Sequence, residues 1–190
     1  MVLAMLVMPP AAGPGAQTPR CRDRVPETWD IRVGPAGEPG DSLIVSGRVL
    51  SRQTHLPLAG VTLYTYHADI NGEYNLQGQE AGEPRLCGVL RTNQAGQYRI
   101  RTTMPGGYGG AAPHIHFEVW GKGVERQASF VNLVAKGPLK VMDTTRVSEI
   151  ARAWPKLPPP RDDASSIERR VMRGKDGLLH CAKDIVVDAK

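Results

Sequence analysis

Short runs of alternating residues, separated by turn sequences, extend along most of the chain. Residues 42–50 (SLIVSGRVL) are rich in β-branched side chains, and residues 61–67 (VTLYTYH) place Leu63 and Thr65 on one face and Tyr64 and Tyr66 on the other. Successive side chains of a strand point to opposite faces, so both patterns predict strands. The same signals predict further strands at 89–92, 98–103, 114–120, 126–131 and 184–187.

Turn sequences divide these predicted strands. Asp69-Ile70-Asn71-Gly72 is one such turn, and Gln94-Ala95-Gly96 separates residues 89–92 from 98–103 in a predicted hairpin. Short strands with regular turns favour an all-β fold, a β-sandwich of mostly antiparallel strands with long loops and little helix. A helical period occurs at 147–154.

Composition and charge exclude several classes of protein. The chain has 190 residues, a length that suits one domain, and its 21 Gly and 16 Pro favour turns over long helices. No apolar run approaches the roughly 18 residues that a membrane span needs, so we expect no span. The net charge is +5, and the basic residues are scattered rather than interleaved with aromatic ones. We therefore expect no nucleic-acid partner.

The beginning of the chain resembles the end of a signal peptide. Residues 2–8 are apolar, and residues 9–17 are small and rich in Pro, Gly and Ala. We therefore predict that residues 1–24 are an N-terminal tail or signal-peptide remnant and that residues 25–190 form a single β-sandwich domain. A secreted or periplasmic location is expected, with the cytoplasm as the alternative.

The three cysteines, Cys21, Cys87 and Cys181, permit one disulfide and one free thiol. A bridge between Cys21 and Cys181 would join the two ends of the chain, and three unpaired thiols are the alternative. The spacing of the cysteines matches no zinc-binding pattern, because no two lie close together in sequence.

The sequence His114-Ile115-His116 carries the strongest chemical signal. Residues i and i+2 of a strand project from the same face, so the two imidazoles are placed to bind one metal ion. Tyr108 lies six residues upstream in a glycine-rich loop, and Tyr74 follows the turn at 69–72. Taken alone, the two histidines are more typical of an ordinary strand than of a metal site, and Tyr74 is more typical of an aromatic at a strand edge.

Together, two tyrosines and two histidines favour a particular metal. A phenol has an unperturbed pKa of about 10, so only a strongly charged hard cation deprotonates it at neutral pH. Iron(III) is such a cation, whereas zinc is more often bound by His with Cys or carboxylate. The set therefore favours ferric iron over a zinc site.

These residues belong to a longer pattern that resembles the intradiol ring-cleavage dioxygenases, which include protocatechuate 3,4-dioxygenase and catechol 1,2-dioxygenase. The matching stretches lie in the same order between Val45 and Phe130: SGRVL, AGVTLYTYHADINGEYN, LRTNQAGQYRIRTTMPGGY, PHIHFEV and RQASF. The resemblance implies a β-sandwich with one mononuclear non-haem Fe(III). It places the ligands on Tyr74, Tyr108, His114 and His116.

The resemblance also implies a reaction. A catechol-type aromatic diol and O2 would be the substrates, the ring would be cleaved between its two hydroxyls, and a muconate-type diacid would form. Tyr108 would be the ligand that the substrate displaces and would act as a base. Gln127 matches a glutamine that lies near the substrate in the family. Because members often form multimers, a homo-oligomer is compatible with the resemblance.

One position departs from the family pattern. The family usually has an arginine three residues before the first ligand histidine, and this chain has Ala111 there. Two alternatives therefore stay open beside the dioxygenase interpretation. One is an iron-binding relative with weak or altered activity. The other is a non-enzymatic β-sandwich that serves as a binding module.

Overall fold

The alternating stretches of the sequence form strands, as predicted. The structure is a computed structural model that describes residues 20–75, 84–135 and 168–190. Apart from a 3-10 turn at Cys21–Asp23, these residues contain no helix. The strands are β1 (Asp30–Arg32), β2 (Ser42–Ser51), β3 (Thr62–His67), β4 (Leu86–Arg91), β5 (Gln97–Thr103), β6 (His114–Gly121), β7 (Val124–Ala135), β8 (Glu168–Arg173), β9 (Leu179–Ala182) and β10 (Ile185–Val187).

The strands follow one hydrogen-bonded path in the order β1-β5-β2-β9-β8-β7-β6-β3-β4, and β10 pairs with β2. The longest ladders are antiparallel and join β2 to β5, β3 to β4 and β6 to β7. Shorter parallel ladders join β2 to β9 and β7 to β8. The predicted all-β fold with mostly antiparallel pairing is therefore confirmed.

The two ends of this path pack against each other through their apolar faces. Val45 and Ile100 come from β2 and β5, and Leu63 and Phe117 come from β3 and β6. All four are at most 1% exposed, and burial of each such side chain contributes roughly 1.5–3 kcal/mol. Tyr98 of β5 meets Phe117 edge to face, with ring centroids 6.0 Å apart. The core thus lies between two layers, as in a sandwich.

The predicted hairpin at residues 89–103 is wrong. The turn itself forms, since the Gly96 N–H donates to the Asn93 carbonyl at 2.9 Å. However, β4 pairs with β3, and β5 pairs with β2 and β1. The turn carries the chain from one layer to the other. Turn residues specify a local reversal, whereas burial of apolar faces decides which strands pair.

The cysteines pair differently from both expectations. A disulfide joins Cys21 to Cys87, with 6.3 Å between the Cα atoms, and Cys181 is free and buried. The Cys21–Cys181 bridge and the set of three unpaired thiols are therefore both wrong. Cys21 is buried, so the end of the predicted 1–24 tail, from Arg20 onward, belongs to the folded structure.

Two further expectations concern helices. The predicted helical segment at 147–154 lies outside the described residues. In the part of the chain that the structure describes, no helix has the length and hydropathy of a membrane span.

Candidate metal centre

The candidate site lies on the face of β6 that points away from the core. Ile115 and Phe117 face inward and are at most 1% exposed. Because side chains alternate along a strand, His114 and His116 project together from the opposite face. The strand period therefore places both imidazoles beside the two loops that follow β3 and β5.

Those two loops supply Tyr74 and Tyr108, and Asp69 connects the two loops through hydrogen bonds. One carboxylate oxygen of Asp69 accepts hydrogen bonds from the backbone N–H groups of Asn71 and Glu73, at 2.9 and 3.0 Å. The Asp69 carbonyl accepts from the N–H of Gly106 at 2.8 Å, and so binds the loop that carries Tyr108. One buried residue thus holds both tyrosine loops in position.

Glycine lets the two loops touch backbone to backbone. A Cβ atom at Gly106 would lie 2.2 Å from the Ile70 carbonyl oxygen, and one at Gly72 would lie 2.7 Å from the Gly107 carbonyl oxygen. Gly72 also has a φ of +80°, in the left-handed region that favours glycine. The contact therefore requires glycine at both positions.

The four predicted ligands meet in one closed ring of donor atoms. The Tyr74 hydroxyl is 2.8 Å from the Tyr108 hydroxyl, which is 3.2 Å from His114 Nε2. His114 Nε2 is 3.0 Å from His116 Nε2, which is 3.1 Å from the Tyr74 hydroxyl. The structure thus brings together all four residues on which the resemblance placed the ligands.

These separations fit one small metal ion. Donor atoms bound at about 2.1 Å and at right angles to one another lie about 3 Å apart. The described residues hold no group of three or more His, Cys, Asp or Glu side chains arranged to bind a metal. The donor set here is two imidazoles and two phenols, which suits a hard, highly charged cation.

Both histidines are in a state that suits metal binding. His114 Nδ1 donates to the Ala112 carbonyl at 2.7 Å, so its Nε2 lone pair is directed at the cluster. Burial and the neighbouring His114 lower the pKa of His116 to about 4. Both effects keep Nε2 atoms available as ligands at neutral pH.

Tyr74 is held as a phenol in the absence of a cation. Burial raises its pKa well above the usual 10, and its hydrogen bond with Tyr108 raises it further. Loss of its proton therefore requires a strongly charged ion at the donor ring. This requirement agrees with ferric iron and disfavours weaker Lewis acids.

A stack of aromatic rings supports His116 from the side. The Tyr66 ring lies parallel to the His116 ring, with centroids 4.6 Å apart, and Tyr64 stacks on Tyr66 at 5.2 Å. Arg22 covers Tyr64 at 5.1 Å and forms an ion pair with Glu118 at 2.8 Å. The disulfide at the adjacent Cys21 tethers Arg22 over this stack.

Gln127, predicted to lie near the substrate, is not brought into the cluster. It pairs in register with Val119, whose side chain faces the core. Its side-chain amide donates to the Asp188 carbonyl at 2.7 Å and accepts from the Asp188 N–H at 3.0 Å. Gln127 therefore binds the C-terminal end of the chain rather than the candidate metal centre.

Phe130 occupies the place beside the histidines instead. It pairs with His116 across the ladder, and its ring centroid lies 6.5 Å from His114 and 6.4 Å from His116. Sequence reasoning missed this residue. A register shift between Val119 and Gly121 adds one residue to β7, so counting outward from the Gly121–Val124 pair would place Ser129, not Phe130, opposite His116.

Ala111 forms part of a tight turn between Tyr108 and His114. Its N–H donates to the Tyr108 carbonyl at 2.7 Å. The methyl side chain offers no hydrogen bond and no charge, so the family arginine has no counterpart at this position.

Comparison with known proteins agrees with the fold. The sequence model of a family described as "Dioxygenase" matches residues 27–133, more than half of the chain. An alignment over 120 residues is 26% identical to catechol 1,2-dioxygenase 2 of Acinetobacter lwoffii, and it covers 54% of this chain and 43% of that protein. The chain thus spans less than half the length of this curated relative.

Two solved structures share the fold. The dioxygenase domain of a dioxygenase–carbohydrate-binding fusion from Streptomyces sp. SirexAA-E has a TM-score of 0.60 at 23% identity, over 93% of this chain and 97% of that domain. Catechol 1,2-dioxygenase from Pseudomonas arvilla C-1 has a TM-score of 0.59 at 19% identity, over 85% of this chain and 57% of that one.

The fold and the family match define a β-sandwich of the dioxygenase class. Within that class, the chain belongs to the intradiol ring-cleavage dioxygenase family.

Proposed function

We propose that this protein is a non-haem iron(III) dioxygenase that cleaves a catechol-type ring between its two hydroxyls. The observation that carries this proposal is the closed ring of four donor atoms, with edges of 2.8–3.2 Å. Family membership supports it as well. Tyr74, Tyr108, His114 and His116 would hold the iron, which supplies Lewis-acid activation of the bound diol and O2.

The reaction adds both atoms of O2 to the diol. The carbon–carbon bond between the two hydroxyl-bearing carbons breaks, and each of these carbons becomes a carboxyl carbon. Catechol plus O2 therefore gives muconic acid, which retains every atom of both reactants. No further oxidant or reductant is needed.

We propose that Tyr108 transfers a proton during the reaction. Its hydroxyl contacts both Tyr74 and His114, and its loop continues into Gly109 and Gly110, which are exposed. A tyrosine on such a loop can turn away from the cluster more readily than Tyr74. Its oxygen, which would be a phenolate while it binds the iron, would then accept the proton of one substrate hydroxyl and become a neutral phenol.

Tyr74 and the two histidines have the opposite role, since each is fixed by its surroundings. The Asp69 carboxylate binds the N–H of Glu73, directly before Tyr74, whereas its carbonyl holds the Tyr108 loop only at Gly106. The Ala112 carbonyl orients His114, and Tyr66 stacks on His116. We therefore propose that these three residues stay in place while Tyr108 moves. No substrate contact is proposed for Gln127, because its amide is bound to Asp188.

One alternative has specific support. Ala111 has no charge, and Phe130 rather than Gln127 lies beside the histidines. An iron-binding relative with weak or altered ring-cleaving activity would retain the donor ring and differ at these positions. A non-enzymatic binding module would differ further, because it would bind neither iron nor catechol.

Oxygen labelling separates these functions. The iron-loaded protein is incubated with catechol and 18O2, and the product is identified by mass spectrometry. The proposal predicts a muconate that carries two labelled atoms, and a loss of about 100-fold or more in rate for Tyr108→Phe. Iron binding without any labelled product would support the weak relative. A protein that takes up neither iron nor catechol would support the binding module.

We also propose that the protein is exported to an oxidising compartment. The Cys21–Cys87 disulfide supports this location, because disulfides persist in secreted and periplasmic proteins and are rare in the cytosol. Cell fractionation of the native host tests it, with recovery of the mature protein in the cytosol as the contradicting result.

A further inference from the structure

Phe130 is a large apolar side chain exposed beside the candidate metal centre. It is 38% exposed, although its ring flanks both His114 and His116. Core packing does not account for it, because it pairs with His116 on the outer face of the sheet. A ligand held at the two Nε2 atoms would approach this ring.

Three arginines of the described residues near the site, Arg22, Arg85 and Arg126, are partnered by carboxylates. Arg22 and Arg126 both pair with Glu118, at 2.8 and 3.6 Å. A charged ligand would therefore compete with Glu118 for either guanidinium group.

Arg85 is partnered in the same way. Its backbone N–H donates to the Tyr74 carbonyl, which places it at the base of the tyrosine loop. Its guanidinium binds Glu38 through two hydrogen bonds of 2.6 and 2.7 Å and contacts Asp69 at 3.4 Å. A substrate carboxylate would have to compete with two protein carboxylates for this cation.

We propose that Phe130 determines specificity by contacting the substrate ring, so that the site selects catechols with apolar substituents over carboxylated ones. The proposal rests on the proposed function and names its substrate class. An apolar substituent beside Phe130 gains a contact and loses water. A carboxylate in the same place loses its hydration and would have to displace Glu38, Asp69 or Glu118 to gain one of the three partnered arginines.

The test is a binding measurement that requires no turnover. Iron-loaded protein is titrated without oxygen with 4-methylcatechol and with 3,4-dihydroxybenzoate, and the change in the visible spectrum gives each Kd. We expect 4-methylcatechol to bind at least about tenfold more tightly. Phe130→Leu should keep this preference, and Phe130→Arg should reduce the ratio of the two Kd values at least about tenfold.

A matched variant controls for added charge. Leu56 is 64% exposed in the turn after β2, in the other layer of the sandwich. Leu56→Arg adds the same charge away from the site, and its Kd ratio should equal that of the unmodified protein.

The outcomes distinguish this proposal from the function on which it rests. If both diols bind but the ratio favours the carboxylated one, or if Phe130→Arg leaves the ratio unchanged, the role of Phe130 is wrong and the proposed function stands. If neither diol changes the spectrum of the iron-loaded protein, both proposals fail.

Discussion

The two faces of strands β3 and β6 have the same backbone but different chemistry. The inner face carries Leu63, Phe117 and Val119, which are at most 1% exposed and form part of the core. The outer face carries Tyr66, His116 and other polar aromatic groups in a stack. Apolar contacts hold the inner face together, whereas loops, a disulfide and ion pairs hold the outer face.

This difference separates the residues that stabilise the sandwich from those of the candidate metal centre. The inner face is stabilised by burial that needs no fine-tuned geometry. The outer face depends on distances near 3 Å between donor atoms that different loops supply. Substitutions on the inner face should therefore lower stability, and substitutions on the outer face should change metal binding.

The largest expected effect comes from Phe117→Ala on the inner face. It removes a fully buried ring that packs against Tyr98, and should lower the free energy of unfolding by about 3–5 kcal/mol. His116→Ala, one residue away on the outer face, should change it by about 1 kcal/mol or less and abolish iron binding. Urea unfolding and iron content measure the two effects. Equal losses of stability in the two variants would contradict the expectation that the inner face, and not the outer face, stabilises the fold.

A pH effect of nearly the same size should arise from His67, also on the inner face. His67 is buried, with Nδ1 2.7 Å from the Ala68 carbonyl and Nε2 2.7 Å from the Thr102 hydroxyl. Burial lowers its pKa from 6.5 to about 4. Since the unfolded chain binds a proton more readily, stability is full above pH 6.5 and falls by roughly 3 kcal/mol as the pH drops to 4.

Unfolding in urea between pH 7 and pH 4 measures this loss. His67→Asn, which does not titrate, serves as the matched variant and should show a shallower fall over the same range. The same slope in both proteins would show that other groups cause the acid sensitivity.

The contact between the two tyrosine loops should be sensitive to a single methyl group. Gly106→Ala would place a Cβ 2.2 Å from the Ile70 carbonyl oxygen and should lower stability by about 2 kcal/mol and iron affinity at least about tenfold. Gly109 lies in the same loop with a φ of +53°, and a Cβ atom there would have no neighbouring atom within 4 Å. Gly109→Asn should therefore bind iron normally, because asparagine tolerates this backbone conformation.

Chelator competition followed by the visible absorption of bound iron gives both affinities. Normal iron binding by Gly106→Ala would mean that the spacing of the two loops does not set the site.

The smallest expected effect concerns Tyr66, which stacks on His116. Tyr66→Leu removes the stacked ring and should weaken iron binding about 3- to 10-fold. Tyr66→Phe keeps the ring and should bind as the unmodified protein does. The same competition measurement applies, and weakening by both variants alike would point to the hydroxyl rather than the stack.

Local patterns in the sequence were sufficient for much of the fold. The alternation at 42–50, 61–67 and 114–120 predicted strands that the structure confirms as β2, β3 and β6. The pairing of β4 with β3 and the Cys21–Cys87 disulfide were not predictable, because both depend on contacts between distant segments. Turn residues and cysteine counts contain no information about those contacts.

The candidate site, too, was only partly predictable from the sequence. The His114-Ile115-His116 spacing predicted two imidazoles on one face, and the resemblance supplied Tyr74 and Tyr108, which the structure brings to the same point. The expected position of Gln127 failed because the β6–β7 register sets what lies opposite His116, and that residue is Phe130. The matched stretch RQASF contains both residues, so its resemblance alone could not choose between them.

We propose that four side chains from two loops and one strand hold a single ferric ion. The most direct measurement is a titration of the purified protein with iron(III), followed by visible absorption, in the unmodified chain and in Tyr74→Phe, Tyr108→Phe, His114→Asn and His116→Asn. We expect one iron per chain with a broad tyrosinate-to-iron band, which each tyrosine variant alters and each histidine variant weakens or abolishes. A protein that stays colourless after ferric loading, or a band that survives unchanged in all four variants, would contradict it.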